Sequence, residues 1–212
     1  MSELVQYLEG HTLEISVILE IGACDGNDTL FYAKTFPTAE IHAFEPRHDN
    51  YMKILKKVQD QSLPNVYTYP FALSDKVGEV SFYLSSGTPP DTKIKNWHMS
   101  SSILPPKEHL IQHPWCKFEN KTTVFSTTID KFCEIRDIKQ IDFIHMDVQG
   151  AELLVLAGAS KMINNIKSVW LEVSDCELYA GQPLRKDVEN YMTEKGFSLI
   201  INGNTDQLWV RQ

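Results

Sequence analysis

Apolar and polar positions along this chain change rhythm several times, and the rhythm predicts the elements. A short helix is expected over residues 2–9. Ser16-Val17-Ile18-Leu19-Glu20-Ile21 is a compact apolar run stopped by Gly22, so it reads as a buried strand. Residues 29–36 suit a helix that Pro37 ends. Residues 40–44 form a second strand, closed by Glu45-Pro46. Beyond it Tyr51, Ile54, Leu55 and Val58 recur at helical spacing, with Lys53, Lys56 and Lys57 between them. Residues 65–71 read as a third strand. This β-α-β-α-β order implies parallel strands with helices on both faces.

The rhythm then breaks and resumes. Residues 80–84 and 123–127 read as two strands at an edge or in a hairpin-like excursion. Residues 85–120 between them are rich in Pro, Ser and His, and long for a plain connection, which marks a lid or substrate loop. Ile141-Asp142-Phe143-Ile144-His145-Met146 is a buried strand ending at Asp147. Residues 151–157 form a helix that is apolar nearly all round, hence deeply packed. A strand over 168–173 and a helix over 184–195, stopped by Gly196, come next. Residues 197–202 and 207–210 close the chain as two strands joined by Gly203-Asn204, a hairpin signal. No internal repeat is visible. The expectation is one α/β domain over residues 1–212, with an insertion at 85–120.

Composition narrows the partners. Of 212 residues, 42% are hydrophobic and 23% charged, as in ordinary globular proteins. The net charge is −8 and no run of Lys and Arg forms a basic stripe. Nucleic acid and acidic membrane surfaces, which need clustered cations, are therefore poor partners. The apolar stretch at 15–23 is broken by Glu20 and too short to span a bilayer. The first ten residues carry Glu3 and Glu9 and lack the basic start of a secretory signal. Cys24, Cys116, Cys133 and Cys176 include no C-x-x-C pair, which suits reduced thiols in a cytoplasmic protein better than a zinc site.

Candidate chemistry gathers at the strand ends. Glu20-Ile21-Gly22-Ala23-Cys24-Asp25-Gly26 leads from a strand towards the helix that contains Thr29, as in a nucleoside-binding turn. It is not the G-x-G-x-x-G of dinucleotide binders, which disfavours a nicotinamide-dependent oxidoreductase. Glu45, followed by Pro46, lies at the second strand end, where a carboxylate accepts ribose hydroxyls. Ala72-Leu73-Ser74-Asp75 follows the third strand, where an adenine would rest. Asp147 closes the fourth, and Glu172 nears the end of the fifth. His145 reads equally as a core histidine or as a participant in the chemistry. Glu152 is expected to support the turn after Asp147 from within the first helical turn.

Several of these blocks resemble the FkbM-type methyltransferases. The resemblance rests on the segment Leu19-Glu20-Ile21-Gly22-Ala23-Cys24-Asp25-Gly26, on Ala43-Phe44-Glu45-Pro46 and on Ala72-Leu73-Ser74-Asp75. It continues in Ser101-Ser102-Ile103, Thr128-Ile129-Asp130 and the long block from Asp142 to Glu152. It closes with Leu156-Ala157-Gly158-Ala159 and Trp170-Leu171-Glu172. It implies a Rossmann-like class I methyltransferase fold: a mostly parallel seven-stranded sheet with a C-terminal antiparallel strand. It implies S-adenosylmethionine as donor and an O-methyl product on a sugar hydroxyl of a glycan or glycoside. A non-sugar acceptor is the alternative. The expected cofactor contacts are Glu20, Gly22, Asp25, Gly26, Thr29, Glu45, Pro46, Ala72, Ser74 and Asp147.

Asp147, with His145 and Glu172, would take the acceptor's proton, or Asp147 and Glu172 would hold a divalent cation that lowers the hydroxyl pKa. His98 and Ser101, in the inserted segment beside Trp97 and Trp115, are the expected acceptor contacts. The chain departs from the family pattern at Cys24, usually Asn, at His145, usually Lys, and at Gln149, usually Glu. The last removes one charge a metal would use.

Overall fold

The apolar runs become strands where expected. In the computed structural model α1 (Ser2–Gly10) precedes β1 (Val17–Ile21), α2 (Asn27–Thr35), β2 (Glu40–Phe44), α3 (His48–Asp60) and β3 (Val66–Tyr69). An excursion follows through β4 (Ala72–Leu73), β5 (Gly78–Gly87), α4 (His109–Gln112) and β6 (Cys116–Thr127). The chain then makes α5 (Ile129–Arg136), β7 (Ile141–Met146), α6 (Glu152–Ala157), β8 (Ile166–Glu172), α7 (Arg185–Glu194), β9 (Phe197–Asn202) and β10 (Asp206–Arg211). The structure describes residues 2–10, 15–90 and 92–212, so Met1, residues 11–14 and, in the insertion, Asp91 lie outside the described residues.

Seven strands form the main sheet in the order β3-β2-β1-β7-β8-β10-β9. Neighbours run parallel except at β10, which is antiparallel to both β8 and β9. This is the class I methyltransferase sheet that the resemblance implied. Alternation along β1 and β7 splits the core into two faces. Leu19, Ile21, Ile144 and Met146 pack with Ile129, Phe132, Val155 and Leu156 on one side. Ile18 and Phe143 pack with Leu4, Leu8 and Tyr32 on the other. Both central strands are covered on both faces, which is why they are almost wholly apolar. Each such side chain contributes about 1.5–3 kcal/mol by leaving water. Ile144→Ala would cost roughly 2–5 kcal/mol.

Three features depart from the sequence reading. The third strand stops at Tyr69, because Pro70 has no N–H to give to the ladder. Ala72 and Leu73 leave that sheet and pair in parallel with Ser126 and Thr127 of β6. They belong to a second sheet, β4-β6-β5. The antiparallel pair β5 and β6 is longer than expected, running from Gly78↔Ser126 to Gly87↔Cys116. The connection between them is therefore residues 88–115. Thr128, read only as part of a motif, caps α5 by accepting the Lys131 N–H at 3.0 Å.

From β1 the chain builds outward through β2 and β3, then returns to place β7 on the opposite side of β1. The connections leaving the carboxyl ends of β1 and β7 diverge there, and a crevice opens between them.

Candidate active site

Gly22 makes the crevice possible. Its φ is +89°, and its N–H and that of Ala23 both donate to the Phe44 carbonyl at 3.0 Å. The Asp147 N–H donates to the Ile21 carbonyl at 3.0 Å. A Cβ on Gly22 would lie 1.9 Å from the Asp147 carbonyl oxygen. Only glycine lets the ends of β1, β2 and β7 meet this closely. Gly26, also at positive φ, serves a different neighbour: a Cβ there would fall 2.9 Å from Ile54 Cγ1. It lets α2 start against α3 and does not line the crevice.

The crevice encloses about 380 Å³, within the roughly 300–1,000 Å³ of small-molecule sites. Its floor comes from the strand ends: Glu20 and Gly22, Asp25 beyond them, Glu45 and Pro46, Ala72 and Leu73, and His145 and Asp147. Its roof comes from the insertion and β5: Phe82, His98, Met99, Ser101, Ser102 and Ile103. Of the expected residues, Gly26, Thr29, Ser74 and Glu172 lie outside the lining. The Thr29 hydroxyl donates to Glu20 Oε2. The Ser74 hydroxyl sits 2.7 Å from Ser126 Oγ and stitches β4 to β6. Trp97 and Trp115 also stay outside, packed edge to face at 5.3 Å, and so anchor the loop.

Glu45 is buried, yet both its oxygens are engaged by the backbone. Oε2 accepts from Cys24 N–H and Oε1 from Arg47 N–H, each at 2.7 Å. Each carboxylate oxygen has two acceptor sites, so one remains on each for a ligand's vicinal hydroxyls. Burial pushes Glu45 up to about 8 against the pull of those two N–H groups. Burial likewise pushes Glu20 up to about 8, with the Thr29 hydroxyl opposing.

At the β7 end three polar side chains form one unit. Gln149 Nε2 donates to Asp147 Oδ1 at 2.7 Å and to Glu172 Oε2 at 2.9 Å. Gln149 Oε1 lies 3.0 Å from the buried Tyr179 hydroxyl, which also reaches the Ser100 carbonyl at 2.7 Å. The Ser102 hydroxyl donates to the Gln149 carbonyl at 2.8 Å. Asp147 opens to the cavity while protein encloses its other sides. Burial raises its pKa, Gln149 opposes, and Asp206 adds to the rise. Glu172 is held well above the usual carboxylate range by burial and then by Asp147. Glu172 therefore acts on the crevice only through its neighbours. Glu152 holds the turn as expected, its Oε1 accepting from Val148 N–H and Gly150 N–H.

His145 lines the cavity with Nδ1 3.0 Å from the Tyr32 hydroxyl, so it is a paired core histidine with one edge on the site. Burial lowers it to about 4, leaving it neutral. In the roof, His98 Nε2 is 3.3 Å from Lys53 Nζ and Nδ1 is 3.6 Å from Cys24 Sγ. An ammonium only donates, so Nε2 accepts and the ring proton faces the sulfur. The Ser101 hydroxyl is committed to the loop: it accepts from Ser85 N–H at 3.0 Å and from Arg47 Nη1 at 3.2 Å.

The donor set does not suit a divalent cation. The Gln149 amide already donates to one oxygen of Asp147 and one of Glu172, taking acceptor sites a cation would use. Among the described residues no group of three or more His, Cys, Asp or Glu side chains is placed to hold a metal ion.

A sheet of this order with acidic and glycine-lined strand ends around one crevice defines the class I, S-adenosylmethionine-dependent methyltransferases. Residues 20–199 match the model of the methyltransferase FkbM domain, and the chain belongs to that family. It is similar to the 2-O-methyltransferase NoeI of Sinorhizobium fredii (strain NBRC 101917 / NGR234), with 36% identity over 170 residues. That match covers 80% of this chain and 68% of NoeI. The chain is thus an S-adenosylmethionine-dependent O-methyltransferase. Its fold is similar to that of fibrillarin in a complex with Nop5p, at TM-score 0.53 and 16% identity, covering 98% of this chain and 79% of that one. It is also similar to the N-terminal domain of EvdMO1, solved in the presence of SAH and D-fucose. There the TM-score is 0.54 at 11% identity, covering 100% of this chain and 81% of that one. No helix among the described residues is long and apolar enough to cross a membrane.

Proposed function

We propose that the chain methylates a sugar hydroxyl, on a glycan or glycoside, by in-line transfer from S-adenosylmethionine. Glu45 takes the ribose hydroxyls, and Ala72 and Leu73 flank the adenine. Gly22 lets the donor's chain approach the backbone, with Glu20 and Asp25 beside it. The acceptor enters under His98, Met99 and Ser102. The observation that carries the reading is Asp147, open to the cavity between the strand ends and the roof. A relative that methylates a 2-O position supports an acceptor with several hydroxyls.

The protein needs to do little bond chemistry. The acceptor oxygen attacks the methyl carbon as the carbon–sulfur bond breaks, and its electron pair stays on sulfur. Holding the three atoms in line supplies most of the rate. The hydroxyl proton passes to the Asp147 carboxylate, whose raised pKa makes it a better base than an ordinary aspartate. His145 is engaged at Nδ1 by the Tyr32 hydroxyl, and burial lowers it to about 4.

The test is transfer of labelled methyl to a panel of neutral glycosides, with S-adenosylhomocysteine binding followed by calorimetry. Asp147→Asn is expected to lower kcat by at least about a hundredfold while retaining nucleoside binding. Failure to bind S-adenosylhomocysteine at millimolar concentration would remove the cofactor assignment. Labelling of non-sugar alcohols alone would remove the sugar.

A further inference from the structure

Resting on the methyl-transfer reading above, the charges around the cavity define its acceptor more closely. Five carboxyl side chains line it: Glu20, Asp25, Asp28, Glu45 and Asp147. Among the described residues, no lysine or arginine does. Three cations adjoin the rim, and all are engaged. Arg47 donates to Asp49, to the Ser85 carbonyl and to Ser101 Oγ. Lys57 pairs with Asp25 at 3.3 Å and donates to Asn27 Oδ1. Lys53 donates to Asn50 Oδ1 and meets the His98 ring at Nε2.

The roof offers no charge either. Phe82, Met99, Ser102 and Ile103 are uncharged, and burial, with Lys53 against Nε2, disfavours the charged form of His98. The floor therefore complements the positive sulfonium of the donor. A phosphate, sulfate or carboxylate beside it would lose water and gain no counter-charge. Hydroxyls and ring carbons would instead meet Met99, Phe82 and the polar edge of Ser102.

We propose that the acceptor is an uncharged sugar unit, a neutral glycoside, and that the cavity rejects sugars whose ring carries a phosphate or a carboxylate. The proposal concerns the sugar ring in the cavity, and charges farther along a glycan are not constrained by it.

The test uses the full chain, labelled donor and matched acceptors: a methyl glycoside, its 6-phosphate and the corresponding uronic acid. At low salt, kcat/KM for the neutral member should exceed that of either anionic one at least tenfold. Met99→Lys is expected to lift the anionic acceptors relative to the neutral one by about tenfold. Met99 is 41% exposed, so that variant should fold. Equal or better turnover of the anionic acceptors would overturn the inference while leaving the sugar reading intact. Turnover of none, with S-adenosylhomocysteine still bound, would overturn the sugar reading and this inference with it.

Discussion

Gln149 offers the sharpest test of the site, because one amide holds two carboxyl groups. Gln149→Met keeps the side chain's length and removes both N–H donors. The bond to Asp147 contributes roughly 1.5–3 kcal/mol, and that to Glu172, held well above the usual carboxylate range, about 0.5–1.5 kcal/mol. Asp147 opens to the cavity, so the low end applies to its bond, and the pair together amounts to about 2–3 kcal/mol. Tyr179 keeps the Ser100 carbonyl as partner and adds no further cost. Were the whole loss to fall on the transition state, kcat would drop roughly 30- to 150-fold, at about 1.36 kcal/mol per tenfold. Were it to fall on folding, the melting temperature would drop by about 4–12 °C, at roughly 2–4 °C per kcal/mol for a chain of this size. The expected outcome lies between: kcat lower by about ten- to a hundredfold, a melting temperature down a few degrees, and S-adenosylhomocysteine affinity within about threefold. Steady-state kinetics, thermal melts and calorimetry on the same preparation separate the two. A variant with kcat within a factor of about two and an unchanged melt would refute the argument, since neither carboxyl group would then depend on the amide. Gln149→Glu extends the test by placing three carboxyl groups together. It should gain manganese binding by calorimetry that the native chain lacks.

Other expectations follow from the same geometry. Glu45→Ala should weaken S-adenosylhomocysteine binding by about a hundredfold, the cost of two hydrogen bonds to a carboxylate; unchanged affinity would place the ribose elsewhere. Gly22→Ala should fail to give a folded protein, as judged by circular dichroism, since its Cβ has no room beside the Asp147 carbonyl. Stability should fall as pH rises from about 5 to 8. Burial raises Glu20 and Glu45 to about 8 and Glu152 to about 7. In that window the unfolded chain has released protons that the folded chain still holds, so raising pH favours unfolding. Chemical melts at the two ends of the window check the sign. Exhaustive chelation should leave activity unchanged, because the Gln149 amide already takes one oxygen of each carboxyl group a cation would use.

Much of the floor was legible in the sequence because its signals are local. A buried apolar run that ends in a glycine or a carboxylate declares a strand end, and strand ends of a parallel sheet share one side. Gly22, Glu45 and Asp147 needed only that reasoning. Residues whose partners lie far along the chain were harder. Gly26 looked like a ligand contact, but its constraint is Ile54, 28 positions later and visible only once α3 packs. Ser74 looked like part of an adenine shelf, but its hydroxyl meets Ser126 in a second sheet. Ala72–Leu73 is too short to carry a periodicity, and its pairing with β6 crosses more than fifty residues.

The roof differs in kind. Residues 88–115 carry no repeating pattern, so composition alone pointed to His98 and Ser101, and both do reach the cavity. Their roles diverge in the structure. His98 lies over the floor between Lys53 and Cys24, while the Ser101 hydroxyl ties the loop to β5 and Arg47. Gln149 is the residue that sequence reasoning undervalued, because glutamine in place of glutamate reads as a lost charge. In the structure that amide bridges Asp147 and Glu172 and links them through Tyr179 and Ser102 to the roof. A donor cation and a neutral acceptor can then share a cavity lined by acids. The acid that must accept a proton is steadied by an amide, which carries no charge of its own to attract an anion.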